Sequence, residues 1–549
     1  MSRELKLTYN KMLKGLLGDK GKMQKKRIDS STVRLAELIA ALSLATDLGM
    51  GQPLEYALQV CLLSVRLGEA LGLDEHELRD VYYLALLRHI GCNAETYTMA
   101  ALFGDELAMR TDFASVDSAN TPQIVTLMMR IIRQTHQGAS PFDLVRLIAQ
   151  AIVTSPQVMK EEYNGFCEVA QRLAVRLGFG ENMLHALGQV FQRWDGRGVT
   201  GAAIKGEQIV PSMRIVGLAQ DVVTFHRLGG VEAATAMAQE RKGKAYDPNM
   251  VECFCRKASL LLAGFEEEPS WEAVVSIEPG THTYLSEAQF DTACQAVADF
   301  ADIKSPYTLG HSSGVAELAA GAARHCGLPE ADSVTLRRAG FLHDVGRVGV
   351  SAGIWGKPGP LSEREWERVR MHPYYTERIL VRPAALAQLG ALASLHHERL
   401  DGSGYHRGLP ASVLSPAARI LAAADVYHAM TEPRPHRPAR TPEAAASELR
   451  REVRAGRLDS EAVNAVLAAA GHRVRTTRRE LVAGLSEREV EVLRLLARGN
   501  SMKQVAGLLT ISEKTVDNHI QHIYNKIGVS TRAGATLFAM EQNLLTSVE

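Results

Sequence analysis

Histidine is unevenly spread along this chain of 549 residues: nine of its 18 histidines fall between His311 and His436. Within that stretch, His311, the pair His343-Asp344, His372, the pair His396-His397 and Asp425 follow one another at intervals of 32, 28, 24 and 28 residues. Neutral imidazole combined with carboxylate is a donor set for Fe, Mn or Zn. Seven donors exceed what one four-coordinate ion takes. With one carboxylate bridging, they suffice for two ions with four protein ligands each. A pair of divalent ions activates water and clamps a phosphoryl group, so the chemistry expected here is phosphoester hydrolysis. A lone helical histidine is usually a core or surface residue, and an adjacent His-Asp pair alone is a weak signal. Two adjacent histidines followed by Glu398 and the glycine-rich Asp401-Gly402-Ser403-Gly404-Tyr405 are harder to explain by packing.

The elements that must position these donors read as helices. Each interval is about the length of a helical hairpin, so successive helices can return a ligand to one place. Apolar residues recur at helical spacing, as in Leu62, Val65, Leu67, Leu71 and in Val315, Leu318, Ala319, Ala322. Strand-like alternation is scarce, and only 6% of residues are aromatic. An all-α fold is expected. The composition divides the chain into a basic N-terminal tail (1–29), a first helical block (30–265), a linker (266–285), a second block (286–470) holding the histidines, a basic connector (471–484) and a compact third block (485–549). The first two blocks look like a repeat. YYLALLRHIG (82–91) resembles TLRRAGFLHDVG (335–346), WDGRGVTG (194–201) resembles LDGSGYHRG (400–408), and PSMRIVGLAQDV (211–222) resembles PAARILAAADV (416–426).

Composition excludes several classes. Lys+Arg and Asp+Glu are both 62, which rules out a basic coat over the whole surface but not a local basic site. Seven cysteines with no CxxC pair give neither a disulfide framework nor a zinc ribbon, and a reducing cytoplasm is expected. Met1–Arg27 carries nine Lys/Arg without an apolar core segment, so it is not a secretory signal. No apolar run reaches the roughly 20 residues of a membrane span, and no membrane partner is expected.

HDVGRVGV (343–350), KPGPLSEREWERVRMHP (357–373), HHERLDGSGY (396–405) and ADVYHAMTEPRPHR (424–437) resemble the HD-GYP phosphodiesterases over about residues 300–470. The resemblance implies an all-α HD-superfamily fold that hydrolyses cyclic di-GMP, or in a few members cyclic GMP-AMP, with two divalent ions, Fe or Mn, as cofactor. It implies that His311, His343, Asp344 and Asp425 hold one ion. Asp344 bridges to a second, held also by His372, His396 and His397. Asp344 and Arg347 are then the catalytic residues, Arg347 standing where the family has a phosphate-binding lysine. Arg347, Tyr405, Arg434 and Arg437 match positions that meet the dinucleotide. The sequence departs from the pattern in four places: His406 replaces the proline of the GYP triplet, Arg347 replaces lysine, His428 stands where aspartate is common, and Tyr307 stands where members with a third ion have an acid.

Laid on the second copy, the first is chemically empty. Tyr56 takes the place of His311, Arg88-His89 of His343-Asp344, Phe166 of His372, and Val190-Phe191-Gln192 of His396-His397-Glu398. Asp425 matches either Gln220 or Asp221. Val and Phe hold no metal, so this copy is expected to be a degenerate domain serving dimerisation, ligand sensing, allosteric control or support of its neighbour.

The third block has four short helical segments. Ser486 with Glu489 forms a capping-box pattern, Gly499 stops the first helix, and Ser512 can cap a helix whose apolar stripe is Val516, Ile520, Ile523 and Ile527. Lys514, Asp517, Asn518, Gln521 and Asn525 face the other way, a polar surface suited to base edges in a major groove. This block resembles the LuxR-type helix-turn-helix. The resemblance implies that Asp517, Asn518 and Gln521 read bases and that Lys503, Thr515, His519, Lys526 and Arg532 approach phosphates. Asp517 stands where lysine is common. The expected partners are therefore a cyclic dinucleotide, double-stranded DNA and a second copy of the chain.

Overall fold

The computed structural model describes residues 33–135, 163–198, 204–265, 270–473, 482–542 and 544. Among them the chain forms α-helices, short 3-10 turns and three isolated bridges, with no strand. None of the helices is long and apolar enough to cross a membrane. The basic tail 1–29 and most of the connector 471–484 lie outside the described residues. The chain separates into two compact units, 1–472 and 473–549.

The first unit contains the repeat. The opening helices of the first copy are α1 (Leu35–Gly49), α2 (Tyr56–Leu71) and α3 (Glu75–Leu87). Three further helices follow, α4 (Thr96–Phe103), α5 (Glu106–Phe113) and α6 (Thr121–Thr135). The copy closes with α7 (Pro211–Glu240), broken at Gly229 and Gly230, and α8 (Pro248–Leu261). The second copy runs through α9 (Glu287–Asp302), α10 (His311–His325), α11 (Glu330–Leu342), α12 (His372–Leu380), α13 (Ala384–Ala393), α14 (Pro416–Thr431) and α15 (Ser460–Ala469). Helices α4 to α6 fall within the extra residues that separate the first two motifs of copy one.

Matching details recur at matching places in the two copies. Asp47 at the end of α1 accepts from the Ala57 amide at 3.0 Å, and Asp302 at the end of α9 accepts from the Ser312 amide at 2.8 Å. A Cβ on Gly91 would lie 1.9 Å from the Phe166 carbonyl oxygen, and one on Gly346 would lie 2.1 Å from the His372 carbonyl oxygen. Only glycine admits that backbone approach, and it pairs Phe166 with His372. Arg214 binds Asp247 at 2.7 Å where Arg419 binds Asp459 at 3.1 Å, and each aspartate also caps the next helix. Helices α7 and α14 both carry proline in the first turn, where its missing N–H costs nothing. Counting from Pro211 and Pro416 places Gln220, not Asp221, opposite Asp425.

The segment expected to be a linker, 266–285, is partly built into the fold. Residues 266–269 are not described, but Ser270–Ser276 is a helix with Trp271 and Val274 buried. Glu278 is also buried, accepting from Arg34 at 2.6 Å and from the Tyr83 hydroxyl at 2.5 Å. Charge-assisted bonds to a buried carboxylate and an inserted indole fix this stretch against α1 and α3; acidic composition alone did not reveal them.

The second unit holds four helices, α16 (Glu487–Ala497), α17 (Met502–Leu509), α18 (Glu513–Ile527) and α19 (Arg532–Glu541). Ser486 and Ser501 form capping boxes with Glu489 and Gln504, and Ser512 caps α18. Leu493, Val505, Val516, Ile520, Ile523 and Ala535 meet in its core.

Candidate metal centre

The donors arrive from different helices. His311 opens α10, His343-Asp344 follows α11, His372 opens α12, His396-His397 follows α13, and Asp425 lies inside α14. His311, His343, Asp344, His372, His396 and Asp425 are buried, and His397 is half-buried. Asp344 sits in the middle. Its Oδ2 is 3.4 Å from His343 Nε2 and 3.8 Å from His311 Nε2; its Oδ1 is 3.4 Å from His372 Nε2 and 3.5 Å from His396 Nε2. Asp425 faces the same space, 3.3 Å from His311 Nε2 and 3.5 Å from His397 Nδ1. Donor atoms close within 4.8 Å in the trios His311/His343/Asp425, His343/Asp344/His396 and His372/His396/His397.

Backbone carbonyls set the tautomers. His343, His372 and His396 each donate Nδ1–H to the carbonyl three residues earlier, Gly340 at 2.7 Å, Val369 at 2.6 Å and Ala393 at 2.7 Å. In the neutral ring that leaves each Nε2 unprotonated and pointing inward, the arrangement in which imidazole serves as a ligand. Among the described residues, His343 Nε2 and Asp344 Oδ1 are buried without a hydrogen-bond partner. Orphaned donors of this kind are costly unless something else binds them. Electrostatics agree for Asp344, His396 and His397, whereas against the effect of burial the neighbouring carboxylates raise His311 and His343. Burial alone would raise the Asp344 carboxyl, but His343 and Arg347 beside it hold it well below the usual range. Burial pushes His396 down to about 4, and burial with neighbouring His396 pushes His397 well down, so both favour the neutral ring. The residues present therefore fit divalent ions.

The surrounding residues divide by what holds them. Arg347 donates to Asp344 Oδ2 at 2.9 Å and lies 4.0 Å over the Trp355 ring, so its guanidinium borders the donor set. The Tyr405 ring lies 4.6 Å from that of His397. Arg434 donates to Glu432 at 2.9 Å and to the Tyr307 carbonyl at 2.5 Å. Arg437 is engaged by backbone carbonyls. Its guanidinium donates to the carbonyls of Ala429, Met430, Glu432 and Pro438, because the end of α14 leaves carbonyls without helical partners. Three residues escaped sequence reasoning, Glu432, Thr376 and Trp355, and a fourth, Glu398, stood out in the sequence without its role being legible. Glu432 accepts from His311 Nδ1 at 2.8 Å and forms a further donor trio with His311 and His428. Its spacing of four from His428 was the available signal. Glu398 accepts from the amides of Arg407 and Leu409 at 2.9 and 2.8 Å, which fixes the turn carrying Tyr405. Thr376 ties His343 to Gly346, donating to the His343 carbonyl at 2.8 Å and accepting from the Gly346 amide at 3.0 Å. Trp355 underlies Arg347.

In the first copy the equivalent side chains bond to one another. Tyr56 donates to the Gln220 carbonyl at 3.0 Å, His89 and Gln220 pair at 2.7 Å, and Phe166 packs with Tyr163 and Phe191. Burial, with the charge of Arg88, pushes His89 down to about 3. Among the described residues no metal-type donor trio forms in this copy.

In the C-terminal unit, Lys503, Lys514, Thr515, Asp517, Asn518 and Gln521 are exposed and His519 is half-buried. Two expected phosphate contacts are otherwise engaged. Lys526 Nζ pairs with Glu489 at 2.7 Å, and Arg532 donates to the Leu496 and Asn500 carbonyls at 2.6 and 3.0 Å, joining α19 to the end of α16.

Comparison with known proteins agrees with this geometry. Residues 295–462 match the HD domain family, and residues 483–539 match the bacterial regulatory proteins of the luxR family. The chain is 31% identical over 416 residues to a protein of Vibrio cholerae named 3'3'-cGAMP-specific phosphodiesterase 3, covering 75% of this chain and 89% of that one. A cyclic di-GMP phosphodiesterase of Pseudomonas aeruginosa is 39% identical over 132 residues, 24% of this chain and 32% of its own length. The crystal structure of a cyclic GMP-AMP specific phosphodiesterase of V. cholerae aligns with a TM-score of 0.56 at 28% identity, covering 80% of this chain and 98% of that chain. The chain belongs to the HD-domain cyclic dinucleotide phosphodiesterases, metal-dependent phosphohydrolases, and carries a luxR-family regulatory domain at its C-terminal end.

Proposed function

We propose that the second copy, 286–470, hydrolyses a guanine-containing cyclic dinucleotide and that the helical unit 485–549 binds DNA, so that one chain couples a nucleotide signal to transcription. The observation that carries this reading is the inward-facing set around Asp344: six buried donors, three of them histidines whose Nδ1 meets a backbone carbonyl, and two orphaned ligand atoms. His311, His343, Asp344 and Asp425 would hold one divalent ion, and Asp344, His372, His396 and His397 a second, Fe or Mn by donor type. Bound there, the ions would supply Lewis-acid activation of water and of the phosphoryl group. Of the chain's own groups, Arg347 is placed to neutralise charge on a phosphoryl oxygen and to hold Asp344 ionised. Tyr405 and Arg434 border the space where a nucleotide would lie. Arg437 is better read as a support for the end of α14.

Cyclic di-GMP is the substrate that the HD-GYP motifs suggest. The relative that matches across both copies is named for cyclic GMP-AMP, and this favours cyclic GMP-AMP as the preferred substrate here. The protein loaded anaerobically with Fe²⁺ or Mn²⁺ and given equal concentrations of the two dinucleotides tests this. Faster release of linear product from cyclic GMP-AMP is expected. A kcat/KM at least tenfold higher for cyclic di-GMP would overturn the preference. For DNA binding, Lys503, Lys514, Thr515, Asp517, Asn518, His519 and Gln521 form the contact surface, and Lys526 and Arg532 brace the domain. Two copies of the chain would present a pair of such surfaces.

A further inference from the structure

Where the second copy gathers its donors, the first copy encloses a cavity of about 600 Å³. That size suits a ligand of nucleotide dimensions. Met99, Phe166 and Phe191 give the cavity planar and apolar walls. Its charges do not cancel. Asp117 is paired with Arg193 at 2.5 Å, Asp221 with Arg241 at 2.6 Å and Asp247 with Arg214 at 2.7 Å. Asp47 completes the acids in the lining, and burial pushes its carboxyl well up, toward the neutral form. Two lining arginines remain without a carboxylate partner among the described residues. Arg110 donates to the Gly49 and Cys92 carbonyls at 2.7 and 2.5 Å. Among the described residues Arg88 donates only to the Val190 carbonyl at 3.3 Å, and its buried Nε and Nη1 have no hydrogen-bond partner there.

A buried guanidinium with one weak hydrogen bond and no ion-pair partner, facing only the more distant Asp221 that is itself paired with Arg241, is unfavourable by itself. It becomes favourable when a doubly bonded oxyanion arrives, which is what a guanidinium fork recognises best. Arg88 occupies the position of the ligand His343, so a fixed cation replaces a metal ligand in the same shape of pocket.

We propose that the cavity of the first copy binds an organic phosphate of nucleotide size without metal, its phosphate held by Arg88 and Arg110 and its planar part by Phe166 and Phe191. The choice of a nucleotide rests on the reading of the second copy as a dinucleotide hydrolase; the choice of an anion does not. Occupancy would be felt next door. Arg110 lies one turn beyond Glu106 on α5, and Glu106 accepts from Ser351 and Ala352 of the second copy, in the segment following Arg347.

The test is calorimetric titration of the full chain carrying Asp344→Ala, in EDTA, with GMP, cyclic GMP-AMP and cyclic di-GMP. Removing Asp344 and metal separates this binding from hydrolysis. One nucleotide per chain is expected, with affinity reduced at least tenfold by Arg88→Met and partly restored by Arg88→Lys. Comparing GMP with the two dinucleotides tells a mononucleotide ligand from a cyclic one. Arg88→Met removes a buried charge that has no ion-pair partner, so the fold is expected to survive it; unchanged circular dichroism checks this. Absence of binding by all three nucleotides, or binding indifferent to Arg88→Met, overturns the proposal. Binding with these properties in a wild-type chain that hydrolyses nothing would uphold it while refuting the hydrolase reading.

Discussion

Glu106→Gln offers a quantitative test of how the two copies are joined. The Glu106 carboxylate is fully buried and takes three donors: Lys304 Nζ at 3.0 Å, Ser351 Oγ at 2.6 Å and the Ala352 amide at 2.8 Å. Lys304 is 2% exposed, and its other partner is the Val348 carbonyl at 2.8 Å. Burial pulls the Lys304 ammonium down and Glu106 opposes that pull. The amide variant keeps the shape and removes the charge. Breaking one side of a buried pair costs about 3–5 kcal/mol. The retained amide oxygen still accepts one bond and Lys304 can shed its proton, so about 3 kcal/mol is expected. The assay is the urea midpoint of the first unfolding transition, followed by circular dichroism. Adding Lys304→Met removes the stranded charge and should recover at least half of the loss, a coupling that a double-mutant cycle isolates. A single-variant loss under about 0.5 kcal/mol, or no recovery in the double variant, would refute the reasoning.

Three further outcomes follow from the same geometry. Gly91→Ala and Gly346→Ala each force a Cβ to within 1.9 and 2.1 Å of a carbonyl oxygen, so each should lose more than about 3 kcal/mol or fail to accumulate, as read by thermal melts and soluble yield. His396→Ala should lower bound metal per chain by elemental analysis while leaving the DNA affinity of the C-terminal unit within twofold. Asp517→Lys in the full chain should tighten binding to non-specific duplex DNA and steepen its salt dependence by about one unit of log–log slope, measured by fluorescence anisotropy.

Much of the site was legible because metal ligation restricts residue type: the His and Asp donors stand out against an Ala/Leu-rich helical background at hairpin intervals. The repeat was legible for a related reason, since its turns and helix starts need the same Gly, Pro and Asp residues in both copies. What the sequence concealed depends on contacts between distant residues. Lys304 and Glu106 look like surface charges until α5 brings them together in a buried pair. Arg437 matched a substrate position by motif, and the bonds it makes to carbonyls at the end of α14 were not legible from that motif. Glu432 lies inside the motif 424–437 and four residues from His428, but its role became visible only through its bond to His311. The first copy's cavity was equally hidden, because the loss of donors does not reveal whether the space they surrounded has collapsed.

The most direct measurement of the central claim is product analysis with metal content on the same anaerobic samples, wild type against Asp344→Ala. Wild type is expected to bind Fe or Mn and convert cyclic GMP-AMP or cyclic di-GMP to linear or mononucleotide products, while the variant loses metal and releases none. Failure of the metal-loaded wild type to cut either dinucleotide, or equal turnover by the variant, would contradict it.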